Sequence, residues 1–192
     1  MPAAIRCIDA ASPTAPAGDG FIDLVMTAIA QTATVHPAPP PRVERTRFCT
    51  RCGTTSGEAD SNVPFGFDRV CGRCGMGVML SAPRGALPGS GAAIMVVTRN
   101  GRISAVSEAA EPLVGEEAGL LGMPVGSAIS SPDGDDRLAR QIARAAGGGR
   151  EVAETALTPA PQTVGSLTRL TARIANCGPP RAALLVLERT AA

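Results

Sequence analysis

"FCTRCG" at residues 48–53 is answered by "VCGRCG" at residues 70–75, and this doubled phrase decides how the middle of the chain folds. In each copy two cysteines are separated by two residues, an Arg precedes the second and a Gly follows it: Cys49, Arg51, Cys52, Gly53, then Cys71, Arg73, Cys74, Gly75. Eighteen residues lie between Cys52 and Cys71, a spacing that falls in the window of paired C-x-x-C zinc sites. A tight turn can aim both thiolates of a pair at one ion, and two such turns complete a tetrahedron of soft donors. Each turn must then curl its amides back toward sulfur, commonly through a positive φ that Gly53 and Gly75 adopt freely. Arg51 and Arg73 stand where they can offset the net charge of about −2 that four thiolates leave on a divalent ion. The expected ligands are Cys49, Cys52, Cys71 and Cys74 around a structural Zn2+, because four protein donors leave no open position for a reacting water.

Around this centre the chain divides into three. Residues 1–41 are rich in Ala, Pro and Thr and hold one possible helix, Gly20 to Val35, stopped by the proline run "HPAPPPR", which reads as an extended spacer. Residues 42–85 hold four of the six cysteines and seven Arg against four acids, whereas residues 86–192 balance ten Arg with ten acids. The whole chain carries +1, which argues against a strong nucleic-acid or membrane footprint. No apolar stretch is long enough to export the chain or cross a bilayer, so a cytoplasmic address is expected, where thiols stay reduced. Only 2% of residues are aromatic and there is no Trp or Tyr, so a core must be built from aliphatic side chains. Phe48, Phe65 and Phe67 fall in the cysteine segment, with Phe65 and Phe67 on one face of a short strand in "VPFGFDRV". Aromatics in so small a segment read as its minimal core, in preference to stacking platforms for bases.

After the Gly/Pro-rich linker "SAPRGALPGSG" the periodicity changes. "AIMVVT" (93–98), the turn signal "RNG" and "RISAVS" (102–107) read as a hairpin. "SEAAEPLVG" starts at a cap-type Ser107 and admits at most a short helix. "DDRLARQIARAA" (135–146) is the clearest helix, with acids at its positive start, Leu138 and Ile142 four apart, and Gly147 to Gly149 to end it. Three strands follow: 151–160; "SLTRLTARIANCG", in which Leu170, Ala172 and Ile174 share a face; and the uniformly apolar "AALLVLE" (182–188), as expected of a central strand covered on both sides.

The paired C-x-x-C-G turns resemble the two knuckles of a zinc ribbon, over about residues 47–80. The order of strands and helices from "VVTRNGRISAVSEAAEPLVG" through "LLGMPVGSAI" and the 135–146 helix to the closing trio resembles a PAS domain. That resemblance implies an α+β fold: residues 1–41 as helix and linker, a small zinc ribbon at 42–85, and a PAS-like domain at 90–190. The latter implies a five-stranded antiparallel sheet with helices over one face. Ser107 stands where the family often has Asn. The family's haem would need an axial ligand, but the single His, His36, lies in the proline spacer. Its light-sensing flavin would need a reactive Cys in an "NCRFLQ"-like stretch, and none occurs. Neither haem nor flavin is expected.

No Ser/His/Asp set or phosphate-cradling loop is present, and Glu108, Glu111, Glu116 and Glu117 read as a solvated face. The expectation is a non-catalytic sensory or regulatory protein that signals through protein–protein contacts. The apolar central strand asks for a cover on the sheet's outer face, from the Gly20–Val35 helix or from a second copy, so a homodimer or a docked helix is expected. Two other readings remain open: a zinc-ribbon nucleic-acid or transcription-associated regulator, and a thiol–zinc redox sensor in which Cys49 pairs with Cys52. Cys7 and Cys177 have no role from sequence.

Overall fold

The computed structural model describes residues 43–56, 69–160 and 169–190. The Gly20–Val35 helix, His36, Cys7 and the Phe65/Phe67 strand lie outside these. The described residues belong to one compact unit, so the cysteine segment and the C-terminal piece pack together. The first strands, β1 (Arg45–Cys49), β2 (Thr55–Ser56) and β3 (Met79–Pro83), form a small antiparallel sheet in the order β2-β1-β3. The hairpin follows as β4 (Ala93–Thr98) and β5 (Ile103–Val106), then two one-turn helices, α1 (Glu111–Val114) and α2 (Glu117–Leu120). A short β6 (Ile129–Ser130) leads into α3 (Asp135–Ala146), and β7 (Ala153–Pro159), β8 (Leu170–Cys177) and β9 (Ala182–Arg189) close the chain. Among the described residues no helix is long and apolar enough to cross a membrane.

The larger sheet is antiparallel and runs β5-β4-β9-β8-β7-β6. It has six strands where five were expected: Ile129 and Ser130 pair with Pro159 and Thr158 at the edge, an element too short to show a periodicity of its own. The hairpin turns at Gly101, whose φ of 72° is the left-handed value the "RNG" signal calls for. The long helix has the bounds expected of it, with Leu138 and Ile142 facing the sheet and Arg137, Arg140 and Arg144 facing outward.

Ser107 does not cap α1. It is fully buried: its Oγ accepts from the Ile94 amide (2.8 Å) and donates to the Ala92 carbonyl (3.3 Å), so it ties the end of β5 to the start of β4. The α1 N-cap position falls at Ala110, with no side-chain cap. A hydroxyl enclosed between two strands satisfies the backbone groups nearest to it, and here these belong to β4.

Two cores lie on opposite faces of the large sheet. On one, Met95, Val97, Leu170, Ala172, Ile174, Ala183, Leu185 and Leu187 pack under Leu138 and Ile142 of α3 and Leu113 and Val114 of α1. On the other, Ile94, Val96, Ala175, Leu184 and Val186 meet Phe48, Leu80 and Ala82 of the small sheet. Helices therefore cover one face as expected, and β1 and β3 cover the other. The central β9 is buried from Ala182 to Leu187 because it has a layer on each side. β8 changes character along its length for the same reason: its second face is polar at Thr171 and Arg173, then apolar at Ala175 and Cys177 where the small sheet begins. Antiparallel bonding between Ser81 and Gly178 joins the two sheets at this point, with N–H···O distances of 3.0 and 3.1 Å.

Phe48 is the one buried aromatic among the described residues and fills the space between the sheets. Phe48→Ala is expected to destabilise the fold by about 3–5 kcal/mol through a cavity that rigid strands on both sides cannot close. Urea denaturation followed by circular dichroism measures this.

Candidate metal centre

The cysteine loops are held by the β1–β3 pairing, in which Cys49 lies opposite Met79 and Phe48 opposite Leu80. β1 ends at Cys49 and the chain turns at once. The Gly53 amide donates to the Cys49 carbonyl (3.1 Å), the Cys49 amide to the Thr54 carbonyl (2.9 Å), and Gly53 takes a φ of 65°. The second loop repeats the plan: the Gly75 amide donates to the Cys71 carbonyl (2.8 Å) and Gly75 has a φ of 70°. A bridge between Val70 and Val78 and the Cys71 amide bond to the Gly77 carbonyl (2.8 Å) close this loop at its base. Both glycines thus adopt the conformation that the repeat predicts, which an L side chain would strain.

All four expected ligands come together. The Sγ atoms of Cys49, Cys52, Cys71 and Cys74 lie within 4.8 Å of one another, with Cys49 to Cys74 at 3.6 Å and Cys52 to Cys71 at 3.8 Å. A tetrahedral thiolate site with arms of about 2.3 Å has edges of about 3.8 Å, so these separations suit a single ion and are far beyond a disulfide of about 2.05 Å. Amides point at the sulfurs, from Arg51 (3.4 Å) and Cys52 (3.5 Å) to Cys49, and from Gly77 (3.4 Å) to Cys74. The Met76 and Gly77 amides hold the Cys74 thiol down to about 6. Burial pushes Cys52 up, but the Thr54 hydroxyl and amide outweigh it and leave the thiol below its ordinary value. Burial pushes Cys49 up to about 12, and a cation among the sulfurs would favour its thiolate. The donor set, enclosed at Cys49 and Cys71 and partly open at Cys52 and Cys74, therefore fits a soft, four-coordinate metal.

The sequence offers little warning of how firmly this centre is built into the fold. Gly77 is buried with no room for a side chain: a Cβ there would stand 2.2 Å from Cys49 Sγ and 2.9 Å from the Arg51 amide nitrogen. Gly53 is pressed against the linker, where a Cβ would meet the Ala92 carbonyl oxygen at 2.9 Å. Arg51, expected to offset the sulfur charge, turns instead to three carboxylates. Its Nε donates to Glu108 (3.3 Å) and its Nη1 to Glu111 (3.1 Å) and Glu117 (2.9 Å), while its own carbonyl accepts from the Glu108 amide (2.9 Å). The acids read as a solvated face are thus a receptor for one arginine, with the Glu111 and Glu117 side chains only 27% and 21% exposed. Glu116 stays exposed. Glu117 also accepts from the Val106 amide (3.0 Å), which ties the receptor to β5. Arg73 remains beside the sulfurs, donating to Thr54 (3.1 Å), whose hydroxyl lies 3.2 Å from Cys52 Sγ.

No protein-family model, curated protein or solved structure matches this chain. The geometry of the chain is therefore what bears on its chemistry.

The fifth described thiol, Cys177, sits in the core between the sheets, apart from the four-sulfur cluster. Burial, opposed by the Arg45 charge, pushes it from 9.0 up to about 12. Between those values the unfolded chain gives up this proton and the folded one keeps it, so stability falls as pH rises, by up to about 1.4 kcal/mol per unit. Cys177→Ala is expected to remove that share of the alkaline slope in denaturation midpoints measured from pH 8 to 11. Gly77→Ala tests the packing of the centre: displacement of Cys49 should lower metal content, measured by elemental analysis, with the large sheet's circular dichroism retained.

Proposed function

We propose that the protein is a non-catalytic sensory or regulatory module in which a structural Zn2+, held by Cys49, Cys52, Cys71 and Cys74, fastens a zinc-ribbon-like segment to a PAS-like sheet. The observation that carries the reading is the set of four sulfurs spaced for one tetrahedral ion on two glycine-ended turns. Zinc suits it because a d10 cation imposes no geometry of its own and accepts four thiolates. The strand order supports the PAS-like part: apart from the edge strand β6, the sheet runs second, first, fifth, fourth, third among β4, β5, β7, β8 and β9, with the helices on one face.

The Arg51 clamp gives such a module a means of output. Arg51 lies between two ligands and its guanidinium holds Glu108, Glu111 and Glu117 at the entrance to α1 and α2. A change at the metal would then reach the helical side of the sheet through ion pairs and backbone, without any reaction at the ion. Output to a protein partner, a second copy included, would use surface other than the outer sheet face, which β1 and β3 occupy. Val70, Met76 and Val78 around the second cysteine pair are exposed apolar candidates.

Thiol–zinc redox sensing is a second reading, favoured by the short S···S approaches between the two loops. Peroxide as a two-electron acceptor would then join Cys49 to Cys74 or Cys52 to Cys71, since these are the close pairs.

Native mass spectrometry of the purified chain is expected to show one zinc per chain, lost in Cys71→Ser. Chelation should speed amide exchange at Glu108 to Val114 as well as in the cysteine loops. A chain with no stoichiometric metal overturns the reading, and exchange confined to the loops overturns the Arg51 route. Zinc loss with a new interloop disulfide under mild peroxide would favour the redox reading.

A further inference from the structure

The four sulfurs of the cluster are not equivalent. Each close approach between the loops joins a partly open sulfur to an enclosed one: Cys74 to Cys49 at 3.6 Å, and Cys52 to Cys71 at 3.8 Å. A reagent arriving from solvent therefore meets Cys52 or Cys74 first, with a buried sulfur in reach behind it.

The two open sulfurs differ in what stands beside them. Cys74 accepts from the Gly77 amide (3.4 Å), and among the described residues no hydroxyl or guanidinium is hydrogen-bonded to it. Cys52 Sγ stands 3.2 Å from Thr54 Oγ1, and Arg73 Nη1 donates to that same oxygen at 3.1 Å. Arg73 is exposed and Cys52 partly so, whereas Cys71 lies enclosed behind them. A guanidinium on one lone pair of a hydroxyl makes its proton a better donor, free to turn to a molecule that approaches the sulfur. Breaking an O–O bond needs this combination: a sulfur to attack one oxygen, and a proton donor backed by positive charge to receive the other. Neutralising the cluster's charge would call for such groups at either open sulfur, yet Cys74 lacks them.

Resting on the thiol–zinc redox reading, we propose that Cys52 is the sulfur at which a peroxide reacts, with Thr54 and Arg73 as its donor pair and Cys71 as the resolving thiol. Cys52 Sγ attacks one peroxide oxygen: the S–O bond forms, the O–O bond breaks, and the other oxygen leaves as water or an alcohol with a proton passed through the Thr54 hydroxyl. Cys71 Sγ then displaces the hydroxyl of the Cys52 sulfenic acid, so that S–S forms, S–O breaks and water leaves with a second proton. The two sulfurs lose two electrons, which the peroxide takes up. Both protons come from solvent when the sulfurs hold a metal and from the thiols when they do not. Cys49 and Cys74 are then half a tetrahedron, and the metal is released.

The zinc-loaded full chain is treated with hydrogen peroxide and dimedone, zinc release is followed with a chromogenic chelator, and peptide mass spectrometry at partial oxidation locates sulfenic-acid adducts and disulfides. The first adduct is expected at Cys52 and the first disulfide between Cys52 and Cys71. Thr54→Val and Arg73→Ala should each slow zinc release about tenfold or more, as loss of a placed proton donor does, and move the first adduct to Cys74. Arg73→Lys, which keeps the charge, should retain part of the rate. Should Thr54→Val fail to hold zinc, Arg73→Ala, at an exposed position outside the four sulfurs, carries the test. A first adduct at Cys74, a first disulfide between Cys49 and Cys74, or a rate indifferent to both variants overturns the proposal and leaves the redox reading standing. Thiols and zinc unchanged under peroxide overturn both.

Discussion

The pairing of β1 with β3 is the constraint on which the rest of the structure depends. It fixes Phe48 opposite Leu80 and Cys49 opposite Met79, so the same few backbone bonds place a core residue over the large sheet and the first sulfur beside the second loop. Strand alternation sends Phe48 to the sheet side, and Cys49 comes where the strand gives way to the turn. The small sheet is too short to be stable alone. It gains stability from the apolar face of β4 and β9 beneath it, and the same strands gather the four sulfurs at its end. Each requires the other, because a shift of one residue along the strand would turn Phe48 outward and carry Cys49 away from its partners.

This arrangement makes the cysteine cluster a structural part of the larger fold. Gly53 abuts Ala92 of the linker, Gly77 abuts Cys49 and Arg51, and Arg51 crosses to Glu108 in the turn before α1, Glu111 of α1 and Glu117 of α2. An ion at four thiolates carries excess negative charge, and neutralising it with Arg51 directly would leave the carboxylates of Glu111 and Glu117 half-buried without a counterion. Those carboxylates claim the guanidinium, while backbone amides and Arg73 through Thr54 face the sulfur. Hydrogen bonds from amides suit thiolates, whose charge is diffuse, and the planar fork of Arg suits carboxylates.

Two cores on one sheet explain the composition. A chain almost without aromatics buries its sheet by using aliphatic residues on both faces of β9 and by placing its one described buried aromatic where two sheets meet. The arginines of α3 lie on neither core, and their side of the helix borders a groove instead of packing against another element.

The sequence by itself determined the elements whose signal is local. The hairpin at "RNG", the bounds of the 135–146 helix, the doubly covered β9 and the gathering of four cysteine sulfurs on two turns with positive-φ glycines follow from turn chemistry, periodicity and spacing. Each depends on residues close in the chain, or on a repeat that the eye can match. Only the tertiary structure decided what covers the outer face of the sheet, why Ser107 bonds to β4 instead of capping a helix, and where Arg51 spends its charge. It also added the edge strand β6 and brought Gly77 against Cys49. These outcomes depend on pairs of residues far apart in sequence, selected because a buried polar or charged group must find a partner among whatever the fold brings near it, and no local pattern encodes that choice.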